Sequence, residues 1–313
     1  MSAMPIVIDT DPGIDDVVAL ALALRSPELS VIAITTSYGN APLEATTRNA
    51  HHLLDLLGRS DVPIHPGADR PLERDLVTAP ETHGESGVGY APVPPAAPVD
   101  PQPEVLIDVL ADVDRPVILV TLGPLTNLAG AVERDPDLVR RRVGRHIGMF
   151  GNIHERGNTN RWADFNAWCD PEAADIVLRA GLDTVMVGLD VTRRLTFSRM
   201  AVSGYGESTD DVTRWLGQAL RFYVEFHRRQ ERLDGCVVND VLPVAELIEP
   251  RTLTLAQLSL IVDLAESEHR GHTREAAGGT PTAVALAVKT DRVHHLLTRV
   301  FGRAPQDGET GRQ

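Results

Sequence analysis

The sequence predicts an α/β protein built on an open, mostly parallel (Rossmann-like) sheet flanked by helices. Three observations carry this. Short apolar runs of strand length alternate with longer stretches of helical periodicity. The alternation resumes after its one proline-rich interruption, which argues for a single unit spanning residues 1–303. No fixed-period repeat and no run of about 18 apolar residues offers a competing architecture.

In chain order, PIVIDT (5–10) reads as a buried strand and IDDVVALALALRS (14–26) as a helix. LSVIAITTSYGN (29–40) is a second strand, and LEATTRNAHHLLDLLG (43–58) a helix closed by Gly58. APVPPAAPVDPQP (91–103) is too rich in proline for regular structure and reads as a flap. RPVILVTLG (115–123) is a strand leading into a helix over 124–135, with Pro124 suited to a first turn. Strands over 144–151 and 183–190 enclose a helix over 170–181. The longest helical pattern covers 209–231, and 258–265 and 282–288 are late strands. The polar, Gly-containing tail 304–313 is expected to be disordered.

Composition narrows the function classes. The chain has 313 residues, 30 Lys+Arg against 44 Asp+Glu, and a formal charge of −14, which disfavours nucleic acid and anionic membranes as partners. Two cysteines, Cys169 and Cys236, make no disulfide framework and read as reduced packing thiols. With no secretory signal pattern, the expectation is a cytoplasmic protein.

The chemistry concentrates where the first strand ends. IVIDTDPGIDD (6–16) places Asp9, Asp11, Asp15 and Asp16 within eight residues, around a Pro-Gly turn. In an open parallel sheet the carboxyl ends of the strands face the ligand crevice. One or two of these aspartates could cap the next helix. Three or four converging carboxylates repel one another unless a cation sits among them, and oxygen donors suit a hard one.

Asp9-x-Asp11 after a strand resembles the haloacid-dehalogenase phosphatases, whose pattern continues with Thr or Val where this chain has Gly13. The fuller motif, Asp11-Pro12-Gly13-Ile14-Asp15-Asp16, resembles the calcium-dependent nucleoside hydrolases of the inosine-uridine-preferring family. Similar segments follow in order across nearly the whole chain: ITTSYGN (34–40), HGESGVG (83–89), VTLGPLTNLA (120–129), GNTNRWADFNAWCDPEAA (157–174), MVGLDVT (186–192) and VVNDVLPVAELIEP (237–250).

The resemblance implies the nucleoside hydrolase fold, a nucleoside substrate, a homo-oligomer (dimer or tetramer) and a Ca2+ cofactor. Calcium would be held by Asp11, Asp16, the Leu122 carbonyl and Asp240, although an Asp at the start of a helix can equally be a cap. Asp11 would be the general base and Asp15 would bind ribose hydroxyls. Asn158, Asp164 and Asn166 would grip the remaining hydroxyls, with Asn40 near the ring and Met149 and Phe165 lining the pocket. The implied reaction is hydrolysis of an N-glycosidic bond through an oxocarbenium-like transition state, giving base and ribose.

Two positions depart from the family pattern. Asp164 stands where Glu is usual, and Asn239 where non-specific members carry a proton-donating His. Asparagine cannot protonate a leaving base, so His83 or His227 is the candidate acid. The same departures leave open a catalytically silent calcium- and nucleoside-binding protein, or a hydrolase of a modified nucleoside.

Overall fold

The computed structural model describes residues 3–302. The predicted tail 304–313 lies outside them. Eleven strands occur among the described residues: β1 (Met4–Thr10), β2 (Leu29–Thr36), β3 (Ile64–Pro66), β4 (Val117–Thr121), β5 (Val143–Gly148), β6 (Thr184–Met186), β7 (Thr196–Ser198), β8 (Gly235–Val237), β9 (Leu253–Val262), β10 (Thr273–Glu275) and β11 (Thr280–Val288). Nine form one sheet in the order β10-β9-β11-β6-β5-β4-β1-β2-β3. From β3 to β11 the neighbours are parallel, while β9 and β10 add an antiparallel edge. The fold is the open, mostly parallel α/β sheet expected.

Burial on both faces explains the apolar strands. In β1, Ile6 and Ile8 enter one core while Val7 enters the other. Helix Ile14–Arg25 is buried from Ile14 to Leu24, which accounts for its nearly continuous apolar sequence. Helices Asp211–Glu231, Val241–Ile248 and Thr290–Phe301 belong to the same layer. Gly58 ends helix Leu43–Leu57 in a left-handed conformation, as the sequence indicates.

The differences are local. The helix expected from Pro124 begins at Thr126. The strand expected over 183–190 stops at Met186, and Leu189–Thr192 is a helical turn. The pair β7-β8 and edge strands β3 and β10 were not anticipated, because three-residue strands carry too little periodicity to stand out. The proline-rich segment 91–103 has no helix or strand, and its ends are held by the Trp215 indole on Pro92 O and by Gln102 N on Gly67 O. No helix among the described residues is long and apolar enough to cross a membrane.

The topology fixes where a ligand can sit. From β1 the chain winds outward through β2 to β3, then returns to β4 on the other side of β1. The carboxyl ends of β1 and β4 therefore diverge at a topological switch point. Register aligns Asp9 with Thr35 on one side and Thr121 on the other, so Asp11, the 37–40 turn and Leu122 emerge together.

Candidate active site

Four buried aspartates converge at this switch point. Asp16 Oδ1 accepts from the Thr10 hydroxyl at 2.6 Å, and its Oδ2 accepts from Gly13 N at 3.0 Å and Asn40 Nδ2 at 2.8 Å. The bond to Gly13 N is a cap contact, so Asp16 has a structural share as well. Asp11 Oδ2 accepts from Asn40 N at 2.7 Å, but its Oδ1 is buried with no hydrogen-bond partner. Gly39 and Gly123 flank that carboxylate closely, and a Cβ on either would strike it. A bare, cradled carboxylate oxygen is what a metal- or water-binding group presents.

Asp15 is held by the long helix and by the segment after β8. Its Oδ1 accepts from the Tyr223 hydroxyl at 3.2 Å, and its Oδ2 from Asn239 N at 3.1 Å and Asn239 Nδ2 at 3.2 Å. Asp240 follows β8, so it reaches the site from outside the main sheet. It stands at the start of helix Val241–Ile248 yet makes no cap hydrogen bond. Instead, carboxylate oxygens of Asp15, Asp16 and Asp240 all lie within 4.8 Å of one another.

Burial raises all four carboxyls above their ordinary range, and for Asp11, Asp16 and Asp240 repulsion from neighbouring carboxylates adds to it. For Asp240 the neighbouring charges are Asp15, Asp16 and Asp11. An all-oxygen donor set with one orphaned oxygen and unrelieved negative charge fits a hard divalent cation such as calcium better than zinc.

The other expected residues divide between site and scaffold. Asn166 Nδ2 donates to Leu122 O at 2.7 Å and to Met149 O at 2.9 Å, tying together the ends of β4 and β5. Met149 itself is buried. Asp164 is fully engaged by backbone: Gly151 N at 2.7 Å, Ala167 N at 3.0 Å and Asn166 N at 3.3 Å. Burial still pushes its carboxyl up to about 6. Asn158 is exposed and accepts from Phe165 N at 2.8 Å, capping the same short helix, while Phe165 packs beside Trp168.

Both candidate histidines are buried beside Tyr223. The His83 and Tyr223 rings are 5.2 Å apart, and those of His227 and Tyr223 4.8 Å. His83 Nδ1 accepts from Ile14 N at 3.1 Å, which leaves its proton on Nε2. Burial lowers its pKa to about 4. His227 Nδ1 donates to Tyr223 O at 2.9 Å, and burial lowers its pKa as well. Asn239 Oδ1 accepts from the Thr192 hydroxyl at 2.9 Å, so its amide is held on both sides. Cys169 and Cys236 are buried and unpaired.

Several supports escaped the sequence reading. Asp190 accepts from Ile153 N at 2.7 Å, His154 N at 2.7 Å and Glu155 N at 3.2 Å, anchoring the loop before Asn158. Asn49 donates to Pro12 O at 2.9 Å and Ser86 O at 3.0 Å, linking the aspartate turn to the segment that carries His83. Of these two, only Asp190, an acid just past a strand at the ligand edge, had a positional signal. Asp9, singled out in the acidic run after the first strand, receives the Thr35 hydroxyl and Asn127 Nδ2 and braces the strand ends.

Comparison with known proteins agrees with this geometry. The profile of the family described as inosine-uridine preferring nucleoside hydrolase matches residues 6–295. The pyrimidine-specific ribonucleoside hydrolase RihA of Enterobacter sp. (strain 638) is 39% identical over 257 residues, covering 80% of this chain and 81% of that protein. Among solved structures, a plant nucleoside hydrolase, the PpNRh1 enzyme, superposes with a TM-score of 0.87 at 33% identity, covering 95% of this chain and 98% of that one. The purine-preferring ribonucleoside hydrolase from Gardnerella vaginalis also gives 0.87, at 29% identity and the same coverage.

Proposed function

The chain belongs to the inosine-uridine preferring nucleoside hydrolase family and is a ribonucleoside hydrolase, an N-glycosidase; from that premise we propose that it cleaves pyrimidine ribonucleosides to base and ribose with calcium among its buried aspartates. The observation that carries the reading is the convergence of Asp11, Asp15, Asp16 and Asp240, with Asp11 Oδ1 bare. The pyrimidine preference is supported by the likeness to a pyrimidine-specific relative across four fifths of the chain.

Asp11, Asp16, Asp240 and the Leu122 carbonyl would hold the cation, which supplies a polarised water that deprotonates readily. Asp11 Oδ1 is the base that takes the water's proton as oxygen bonds to the anomeric carbon and the C–N bond breaks. Positive charge develops on the ribose ring as the base leaves, and the surrounding carboxylates stabilise it within a buried site. Asp15, oriented by Tyr223 and Asn239, receives ribose hydroxyls. His227 or His83 returns a proton to the departing base.

One observation favours a second reading, a hydrolase of a nucleoside whose base leaves without protonation: Asn239 is held by Asp15 and Thr192 and offers no acid.

Ribose release from uridine, cytidine, inosine, adenosine and guanosine, with calcium and with chelator, tests the proposal. Calcium-dependent release fastest from uridine or cytidine is the expected result. Faster release from the purine nucleosides would overturn the preference, and none from any of the five would overturn the reaction.

A further inference from the structure

A second group of metal-ligating side chains lies away from the aspartates, on the loop between β9 and β10. Asp263, His269 and His272 each offer a donor atom, and these atoms lie within 4.8 Å of one another. Two imidazoles and one carboxylate form a donor set different in kind from the all-oxygen group at the switch point. It matches the borderline-soft dications, zinc foremost.

The loop holds these ligands in place through its own backbone. Asp263 N donates to His272 O at 3.0 Å, Gly271 N to Asp263 O at 2.9 Å, and His272 N to His269 O at 2.9 Å. Gly271 has a φ of +74°, and a Cβ there would meet the Trp168 backbone, so the loop is pressed against helix Phe165–Cys169. Arg270 fastens the same contact by donating to Trp168 O at 3.1 Å.

His272 Nδ1 is the revealing atom. It is buried, has no hydrogen-bond partner, and stands 3.8 Å from Asp263 Oδ2. Donors around a tetrahedral zinc with bonds of about 2.0–2.1 Å are separated by roughly 3.4 Å, so this pair needs only a small adjustment. His269 is partly exposed and can close the remaining gap by rotating its ring, now 4.4 Å from the Trp162 ring. Arg274 competes for the carboxylate, its Nε donating to Asp263 Oδ2 at 3.1 Å.

We propose that Asp263, His269 and His272 form a zinc-type metal site, separate from the aspartate centre. Its consequence is mechanical. Thr273, next to His272, bonds both Asn152 N and Asn152 O at 2.8 Å, and Asn152 Oδ1 accepts from Asp164 N at 3.0 Å. A bound ion therefore stiffens the segment that carries Asn158, Asp164 and Asn166.

The test is a zinc titration of the full chain, saturated with calcium, against a chromophoric competing chelator. The expected result is one zinc per chain, retained in Asp240→Asn and weakened at least about tenfold in His269→Ala and in His272→Ala. Arg274→Ala should bind zinc more tightly, because it frees the Asp263 carboxylate. His269→Ala keeps the test readable if His272→Ala fails to fold. Absence of zinc binding, equal affinity in wild type and His269→Ala, or loss of zinc in Asp240→Asn would each overturn the proposal.

Discussion

Asn166 Nδ2 donates to the Leu122 carbonyl at 2.7 Å, fixing the direction of a backbone oxygen at the switch point between β1 and β4. The same amide holds Met149 O at 2.9 Å, so one side chain sets two strand ends. Asn166→Leu keeps the branching at Cγ and leaves two buried carbonyls without that donor. Each loss costs about 1–3 kcal/mol, and the expected result is both a lower melting temperature and a fall of at least about tenfold in kcat/KM on uridine. A stability loss with unchanged kcat/KM would reduce Asn166 to a strut.

Asp240 has no cap bond and sits among Asp15, Asp16 and Asp11. Asp240→Asn removes one of four mutually repelling buried charges without changing shape. Metal-free Asp240→Asn should therefore melt higher than metal-free wild type, by the equivalent of about 1–2 kcal/mol. It should also lose calcium-induced stabilisation and nucleoside turnover. Differential scanning calorimetry with and without chelator reads all but turnover, and destabilisation of the metal-free variant would contradict the repulsion argument.

The pH dependence follows with a defined sign. Asp11, Asp15, Asp16 and Asp240 have folded-state pKa values raised above 3.8 by burial, and all but Asp15 also by neighbouring carboxylate charge. The metal-free fold thus binds more protons than the unfolded chain, and these groups lower stability as pH rises above about 4. His83 and His146 act oppositely, since burial lowers them to about 4 and about 3, so they cost stability as pH falls below 6.5. Comparing calcium-loaded with chelated protein at each pH cancels the contribution of His146, which burial alone shifts, while His83 interacts with Asp16 and is read with the site. The melting-temperature gain from calcium should grow steadily from pH 4 to 7, and a gain independent of pH would remove the aspartates as the ligands.

What the sequence made legible has a physical boundary. β1, β2, β4 and β5 are apolar runs ending at turn residues, so the sheet and its ligand edge could be read directly. Asp11, Asp15 and Asp16 were legible because neighbours on one turn must converge. Asp240 was legible only through resemblance, since it arrives from the short pair β7-β8, which has no periodic signal. Asp164 is a local helix cap through Asn166 N and Ala167 N, but its bond to Gly151 N and the engagement of Asn239 with Thr192 and Asp15 depend on side-chain rotamers and on contacts 13 to 224 residues apart. No local pattern encodes those. Gly39 shows the same limit: its role is the space it leaves for a carboxylate 28 positions earlier.

That space gives a direct test. Gly39 adopts a φ of +152°, and a Cβ there would overlap Asp11 Oδ2. Gly39→Ala must either move the 37–40 turn or swing Asp11 out of its cradle. Both displace the carboxylate by the order of an ångström, enough to misplace a catalytic group. Calcium affinity should fall at least about tenfold while the circular dichroism spectrum stays that of the wild type. Unchanged affinity would mean that Asp11 is not held where the metal binds.

The leaving-group acid can be assigned by matching each histidine against substrates that do and do not need a proton. His83 can become cationic only by surrendering the bond its Nδ1 accepts from Ile14 N, and burial already lowers it to about 4. His227 keeps its Nδ1 bond to Tyr223 O in either form and gains its proton at Nε2, so charging it breaks nothing. His227 is therefore the expected donor. His227→Ala should lose about 10²–10⁴-fold in kcat on uridine and little on 4-nitrophenyl riboside, whose leaving group departs as a stable anion. Because burial lowers His227, wild-type turnover of uridine should decline as pH rises through a value below 6.5, and the variant's profile should lose that limb. An equal loss on both substrates would reassign His227 to packing against Tyr223, and the selective loss appearing in His83→Ala instead would transfer the role to His83.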